Sequence, residues 1–300
     1  QSKNPAWANY VDDVKNAPGR FDIYWLTDNQ QPAVSGTAGP VNDWWHVNSI
    51  DYDDDTGHIC INPKHWSDFV VIDHDKTFVS ATDWAANKAA AAGPAGDLIY
   101  RWGNPSSYNW GVPPGWMTEG DSQMYGSHDV QFIDKYHWEI PRLSTDKWPD
   151  PRTYTKSGVT LQGGGNFMIF DNGCYNPAGM RSRVLEINGR IGASGAVEVP
   201  VGQYIWQPVA GYQPYAAGMM GAVARDYHKS KQLVWSFASA TQHSFYSSHI
   251  SGQQRLPNGN THITAGNQGH FFEVTPSGDV VWEYLYPGIP GSAAGGILGG

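Results

Sequence analysis

The chain has 300 residues, 40% of them hydrophobic and only 16% charged, with 14 Trp, 16 Tyr and 35 Gly. That length suits one large all-β domain or two smaller ones, and low charge with many aromatics and glycines suits short strands joined by tight turns. A net charge of −9 without a Lys/Arg-rich run excludes a nucleic-acid-binding stripe, and no apolar run approaches the roughly 20 residues that span a bilayer.

In chain order, residues 1–45 read as a connecting arm with one strand-like patch at 21–26. Short strand-like runs bounded by Gly, Asn, Asp and Pro follow at 58–61, 69–73, 98–102, 167–170, 184–187, 233–237, 262–265, 271–274 and 280–284. Residues 83–92 form the one good helix pattern. Three segments share one order of features. The first, 46–103, reads HVNSIDYDDDTGHICI, DFVVIDHD, GDLIYRWG; the second, 128–240, reads HDVQFI, GNFMIFDNG, SRVLEING, LVWSF; the third, 251–287, reads SGQQRLPNGNTHITAG, GHFFEVTPSG, DVVWEYLYP. Each implies four strands closing on an aromatic strand with Trp102, Trp235 or Trp282. Asn258–Gly259 marks a two-residue hairpin turn. The second segment carries insertions at 135–165 and 191–230, expected as surface loops.

The predicted fold is therefore all-β: a β-propeller of four-stranded antiparallel blades, about three of them in this chain over 46–300. Closed propellers have roughly four to eight blades, so an upstream segment or a partner chain is expected to complete the ring. No signal peptide opens the sequence, which is expected to be a mature form or a fragment. Cys60 and Cys174 form one disulfide or none; spacing leaves both open.

His46, His128 and Ser251 each open the first strand of a segment. In a propeller that strand lines the central channel, so three equivalent positions converge on one axis. Asp129, next to His128, points to the opposite strand face and is expected to cap a turn. His65, His243 and His249 are weaker candidates. A metal centre built from several histidines is the rival chemistry, but no HxH or HExxH spacing supports it. The run DYDDDTG at 51–57 has alternating Asp51, Asp53 and Asp55 like a calcium loop; its Gly comes one place late and the closing Glu is missing, so it reads as a solvated hairpin turn. Trp45 and Tyr246 are candidate aryl contacts, set against ordinary packing.

The segments DWWHVNSIDYD, GDLIYRWGNP, GSHDVQFI, FMIFDNG and FYSSHISGQQRLPNGNTHITAG with FFEVTPSGDVVWEY, in this order over residues 40–287, resemble the bacterial arylsulfotransferase family. The resemblance implies a six-bladed propeller in a secreted or periplasmic protein, without the family's first blades. It implies transfer of a sulfuryl group from a phenolic sulfate ester to a phenol, with no cofactor, through a transiently sulfated histidine. His128 matches that nucleophile, and His46 and Asn48 match a pair that holds the sulfate. Lys64 stands where the family has arginine, a point charge in place of a planar fork. A further channel histidine of the family has no counterpart here. Arg255, on the inner strand of the third segment, is a candidate sulfate-binding cation against an ordinary ion pair, and Ser251 a candidate sulfate contact. Sulfuryl transfer asks for cations around the oxygens and an in-line nucleophile, and neutral imidazole is a good one. The alternative reading is a non-catalytic secreted propeller that binds a partner.

Overall fold

The three sequence repeats become three four-stranded antiparallel sheets. The computed structural model describes residues 45–287 apart from 76, 78, 92–95, 109–119, 142–149, 151–152, 175, 177–178, 193, 206–230 and 239–244. The expected arm at 1–45, save Trp45, lies outside the described residues, as does His243. Sheet one is β1 (Val47–Asp53), β2 (His58–Pro63), β3 (Phe69–Asp73) and β4 (Leu98–Trp102), paired in that order. The helix α1 (Trp84–Ala91) sits between β3 and β4, where the sequence predicts it. Sheet two starts with β5 (His128–Phe132). A separate hairpin, β6 (Tyr136–Glu139) and β7 (Thr155–Thr160), precedes β8 (Phe167–Asp171), β9 (Arg183–Ile187) and β10 (Leu233–Phe237). Sheet three is β11 (Ser251–Arg255), β12 (Thr261–Ala265), β13 (His270–Val274) and β14 (Val280–Leu285).

The described parts of the two insertions expected as surface loops make defined contacts with sheet one. The first holds the β6–β7 hairpin, whose Lys156 pairs with Asp54 at 3.0 Å and Asp55 at 2.6 Å in the β1–β2 turn. In the second, the Tyr204 ring stacks on Tyr100 at 5.2 Å, and its hydroxyl lies 3.2 Å from His58 Nδ1.

Side-chain alternation builds two cores. Cys60, Phe69, Val71, Tyr100 and Trp102 of sheet one meet Val130, Phe132, Phe167, Ile169, Leu185 and Ile187 of sheet two. The opposite face of sheet two presents Met168, Phe170 and Val184 to Phe245, Ile263, Ala265, Phe272 and Val274. The middle sheet is thus covered on both faces, and β8 is buried throughout. β14, by contrast, is exposed along its length.

The β11–β12 turn departs from the two-residue expectation. Leu256 still pairs with Asn260, so the loop is Pro257–Asn258–Gly259, closed by the Gly259 N–H on the Leu256 carbonyl at 2.9 Å. Gly259 takes φ 86° there, the left-handed position of a three-residue hairpin.

The first strands of the three sheets neighbour one another. They do not join by a backbone ladder. Side chains of one strand accept the free backbone N–H groups of the next: Ser49 Oγ takes Val130 N–H at 2.9 Å, Asp51 Oδ2 takes Phe132 N–H at 2.8 Å, and Asp129 Oδ2 takes Gln253 N–H at 2.9 Å. Each bond satisfies an edge donor that would otherwise be left open. Asp129 therefore bridges two sheets; it does not cap a turn.

Candidate functional site at the head of the inner strands

Each first strand begins beside a non-glycine residue in the left-handed region: His46 at φ 45°, Asp129 at 56° and Ile250 at 56°. For a β-branched residue such as Ile250 this is a costly conformation, and strained backbone concentrates at functional sites. The residue before the strained one is Trp45, His128 or His249. β5 opens at His128 and β11 at Ser251, as the repeats predict, and β1 opens at Val47, one place after His46.

His128 is half-buried, and its Nδ1 lies 2.6 Å from Asn172 Oδ1. Burial pushes its pKa down to about 4; the Asn172 bond opposes this, and the charges of Lys64, His46 and His249 add to the lowering. These three side chains thus surround His128 closely enough to be felt by it. Lys64 opens the 3-10 turn Lys64–Trp66 after β2, its backbone N–H donating to the His46 carbonyl at 3.2 Å. It is buried, and among the described residues no carboxylate forms an ion pair with it. His46 stacks on His65 with ring centroids 4.9 Å apart. The site therefore gathers a neutral imidazole and the buried side chain of Lys64.

Asn48 sits one step back. Its Nδ2 donates to the Ser127 carbonyl at 2.8 Å, and its Oδ1 accepts from Asn62 Nδ2 at 2.7 Å. Buried Asn62 also reaches the Ser127 carbonyl at 2.7 Å and accepts from Ser127 Oγ at 2.8 Å. Together the two amides hold the residue that precedes His128. Ser251 Oγ accepts from Asn172 Nδ2 at 2.7 Å, so it touches the partner of His128.

Arg255 is placed away from this group. It forms an ion pair with Glu186, donates to the Gly259 carbonyl at 3.0 Å and lies 5.2 Å over the Trp235 ring. Its side chain is 2% exposed, so the sulfate-binding assignment gives way to a buried ion pair between sheets two and three. Trp45 packs on Trp66 at 5.9 Å and on the apolar face of sheet one. Tyr246 places its hydroxyl 3.3 Å from Met180 Sδ. Asp53, Asp54 and Asp55 cluster in the β1–β2 turn, where Asp53 accepts from Asp55 N–H and Thr56 Oγ, and Lys156 balances the other two. Cys60 and Cys174 are not joined by a disulfide.

Sequence reasoning missed Asn62 and Asn172 and ranked His249 low. Asn172 stands in the quoted FMIFDNG segment, but only the pairing of β5 with β8 brings it to His128. No helix among the described residues is long and apolar enough to cross a membrane. No protein-family model matches the chain, and no curated protein matches it.

Proposed function

We propose that this cluster transfers a sulfuryl group between phenols through a sulfated His128, in a protein built as a β-propeller and working outside the cytoplasm. The observation that carries the reading is the half-buried His128, held at Nδ1 by Asn172, within electrostatic reach of buried Lys64; burial pushes the His128 pKa down to about 4. It keeps the nucleophile neutral at pH 7 while a cation stands ready for the sulfate oxygens. In the first step a ring nitrogen of His128 attacks sulfur, the S–O bond to the aryl group breaks, and the phenolate leaves with the electron pair and is protonated from solvent. In the second step the acceptor phenol oxygen attacks sulfur, the S–N bond breaks with its pair returning to nitrogen, and the phenol proton passes to solvent. Lys64 neutralises the sulfate, His46 flanks it, and Asn48 acts through Ser127.

The propeller part of the reading is supported by the adjacency of β1, β5 and β11 and by the face-to-face stacking of three sheets. A ring of six blades, of which this chain forms part, follows from the family resemblance.

The test is turnover of 4-nitrophenyl sulfate with a phenol acceptor by the complete protein. His128→Ala is expected to reduce transfer to background, and rapid quenching of the native protein is expected to trap one SO3 on the peptide containing His128. Unchanged turnover in His128→Ala sinks the nucleophile assignment. The rival reading, a non-catalytic binding module, draws on the outer strand β14, exposed at every position, with Val281, Trp282 and Tyr284 each about half exposed. Absence of turnover in a folded, complete ring favours it.

A further inference from the structure

We infer that Asn172 is a positioning residue that keeps the His128 proton on Nδ1 and leaves Nε2 as the nitrogen that meets electrophiles. The identity of the electrophile rests on the sulfuryl-transfer reading; the tautomer does not.

A primary amide can be turned either way, and its surroundings decide which atom faces which partner. Asn172 has three partners. The Ser247 carbonyl lies 2.7 Å from Nδ2. A carbonyl only accepts, so the nitrogen must face it. Ser251 Oγ takes the second Nδ2 proton at 2.7 Å. Both amide protons are then used, and Oδ1 is the atom 2.6 Å from His128 Nδ1. An acceptor at that distance requires a donor, so Nδ1 carries the hydrogen and the lone pair of the neutral ring is on Nε2.

The arrangement is itself held in place. Asn172 is fully buried at the end of β8, and its backbone carbonyl accepts from Ser182 Oγ at 3.0 Å. The Ser182 hydroxyl in turn accepts the Ser247 N–H at 2.8 Å. The amide therefore ties the head of β5 to the segment that enters β11, and a rotation would leave buried donors and acceptors unpaired.

The choice of an amide over a carboxylate has its own consequence. The titratable groups that act on His128 are Lys64, His46 and His249, all of which oppose its protonation. The nearby carboxylates are engaged elsewhere: Asp129 on Gln253 N–H and Gln131, Asp171 on Arg183. An aspartate at 172 reverses that balance, because an adjacent negative charge favours imidazolium.

The experiment is long-range nitrogen–proton NMR of the full chain labelled with 15N-histidine. The wild type is expected to show His128 as the neutral Nδ1–H tautomer at pH 7, protonating near pH 4. Asn172→Leu is expected to move the ring toward the Nε2–H form. Asn172→Asp, closest in shape, is expected to raise the His128 pKa by about 1–3 units. An Nε2–H tautomer in the wild type overturns the inference outright, so it stays testable even where Asn172→Leu fails to fold. An unchanged His128 pKa in folded Asn172→Asp also overturns it. If the Nδ1–H tautomer is found without aryl sulfate turnover, the functional reading falls and this one stands; transfer with an Nε2–H ring gives the reverse.

Discussion

His128 gains its character from burial. An ordinary histidine protonates near pH 6.5, whereas this one stays neutral until about pH 4. The native state therefore lags the unfolded state in taking up this proton. Below pH 6.5 the unfolded chain binds it first, and stability from this group falls as pH drops toward 4. Urea midpoints at pH 7 and pH 4.5 should show a larger loss for the wild type than for His128→Gln. The neighbouring amides make a sharper case. Asn62 is fully buried and bonds both Asn48 and Ser127, so Asn62→Leu removes the Asn62 partner of Asn48 Oδ1 and of the buried Ser127 hydroxyl, while the Ser127 carbonyl keeps its bond from Asn48. A loss of about 1–3 kcal/mol is expected in urea unfolding. None of this was legible from the residues alone. His128 and His46 stood out by their places in the repeats, but the repeat order carries no information on backbone sign of φ. The left-handed backbone at His46, Asp129 and Ile250 shows only in the folded chain.

Among the elements, the three closing tryptophans look alike in sequence and differ in their surroundings. Trp102 is fully buried between sheets one and two, while Trp282 on β14 is 49% exposed. Trp102→Ala is expected to cost about 3–5 kcal/mol, and Trp282→Ala much less, when both are measured by chemical denaturation. The β5–β11 junction gives a second comparison. Removing the Asp129 carboxylate frees Gln253 N–H and the Gln131 amide, so Asp129→Ala should cost about 1–3 kcal/mol although the residue lies on a half-exposed strand. Strand positions were legible because alternation and turn residues are local: strands two to four of each repeat fall on the predicted runs, and the first strands start at or next to His46, His128 and Ser251, where the segments open. The β6–β7 hairpin was not, since its strands are short, mostly polar and separated by a long stretch of chain. Gly173 shows a constraint of another sort: it takes φ 65°, and a Cβ there would collide with the Arg181 carbonyl, so Gly173→Ala is strained on both counts.

At the scale of the whole molecule, sheet two is the structural centre. Its β8 and β9 face apolar cores on both sides, while β14 at one end and Ile50 and Tyr52 of β1 at the other are exposed. Local opening follows burial, so amide exchange is expected to be slowest in β8 and β9 and fastest in β14. Equal protection across the three sheets would contradict the two-core description. The sequence by itself determined the mostly β character, the three four-strand repeats, the helix at Trp84–Ala91 and the prominence of His46 and His128. These follow from side-chain alternation, turn chemistry and repetition, which act over a few residues. Only the tertiary structure decided that Arg255 is locked to Glu186, that Ser251 serves Asn172, that the cysteines stay apart and that buried Lys64 comes within electrostatic reach of His128. Those outcomes depend on which sheet face meets which, and on buried polar groups finding partners far away in sequence. No local pattern encodes that pairing.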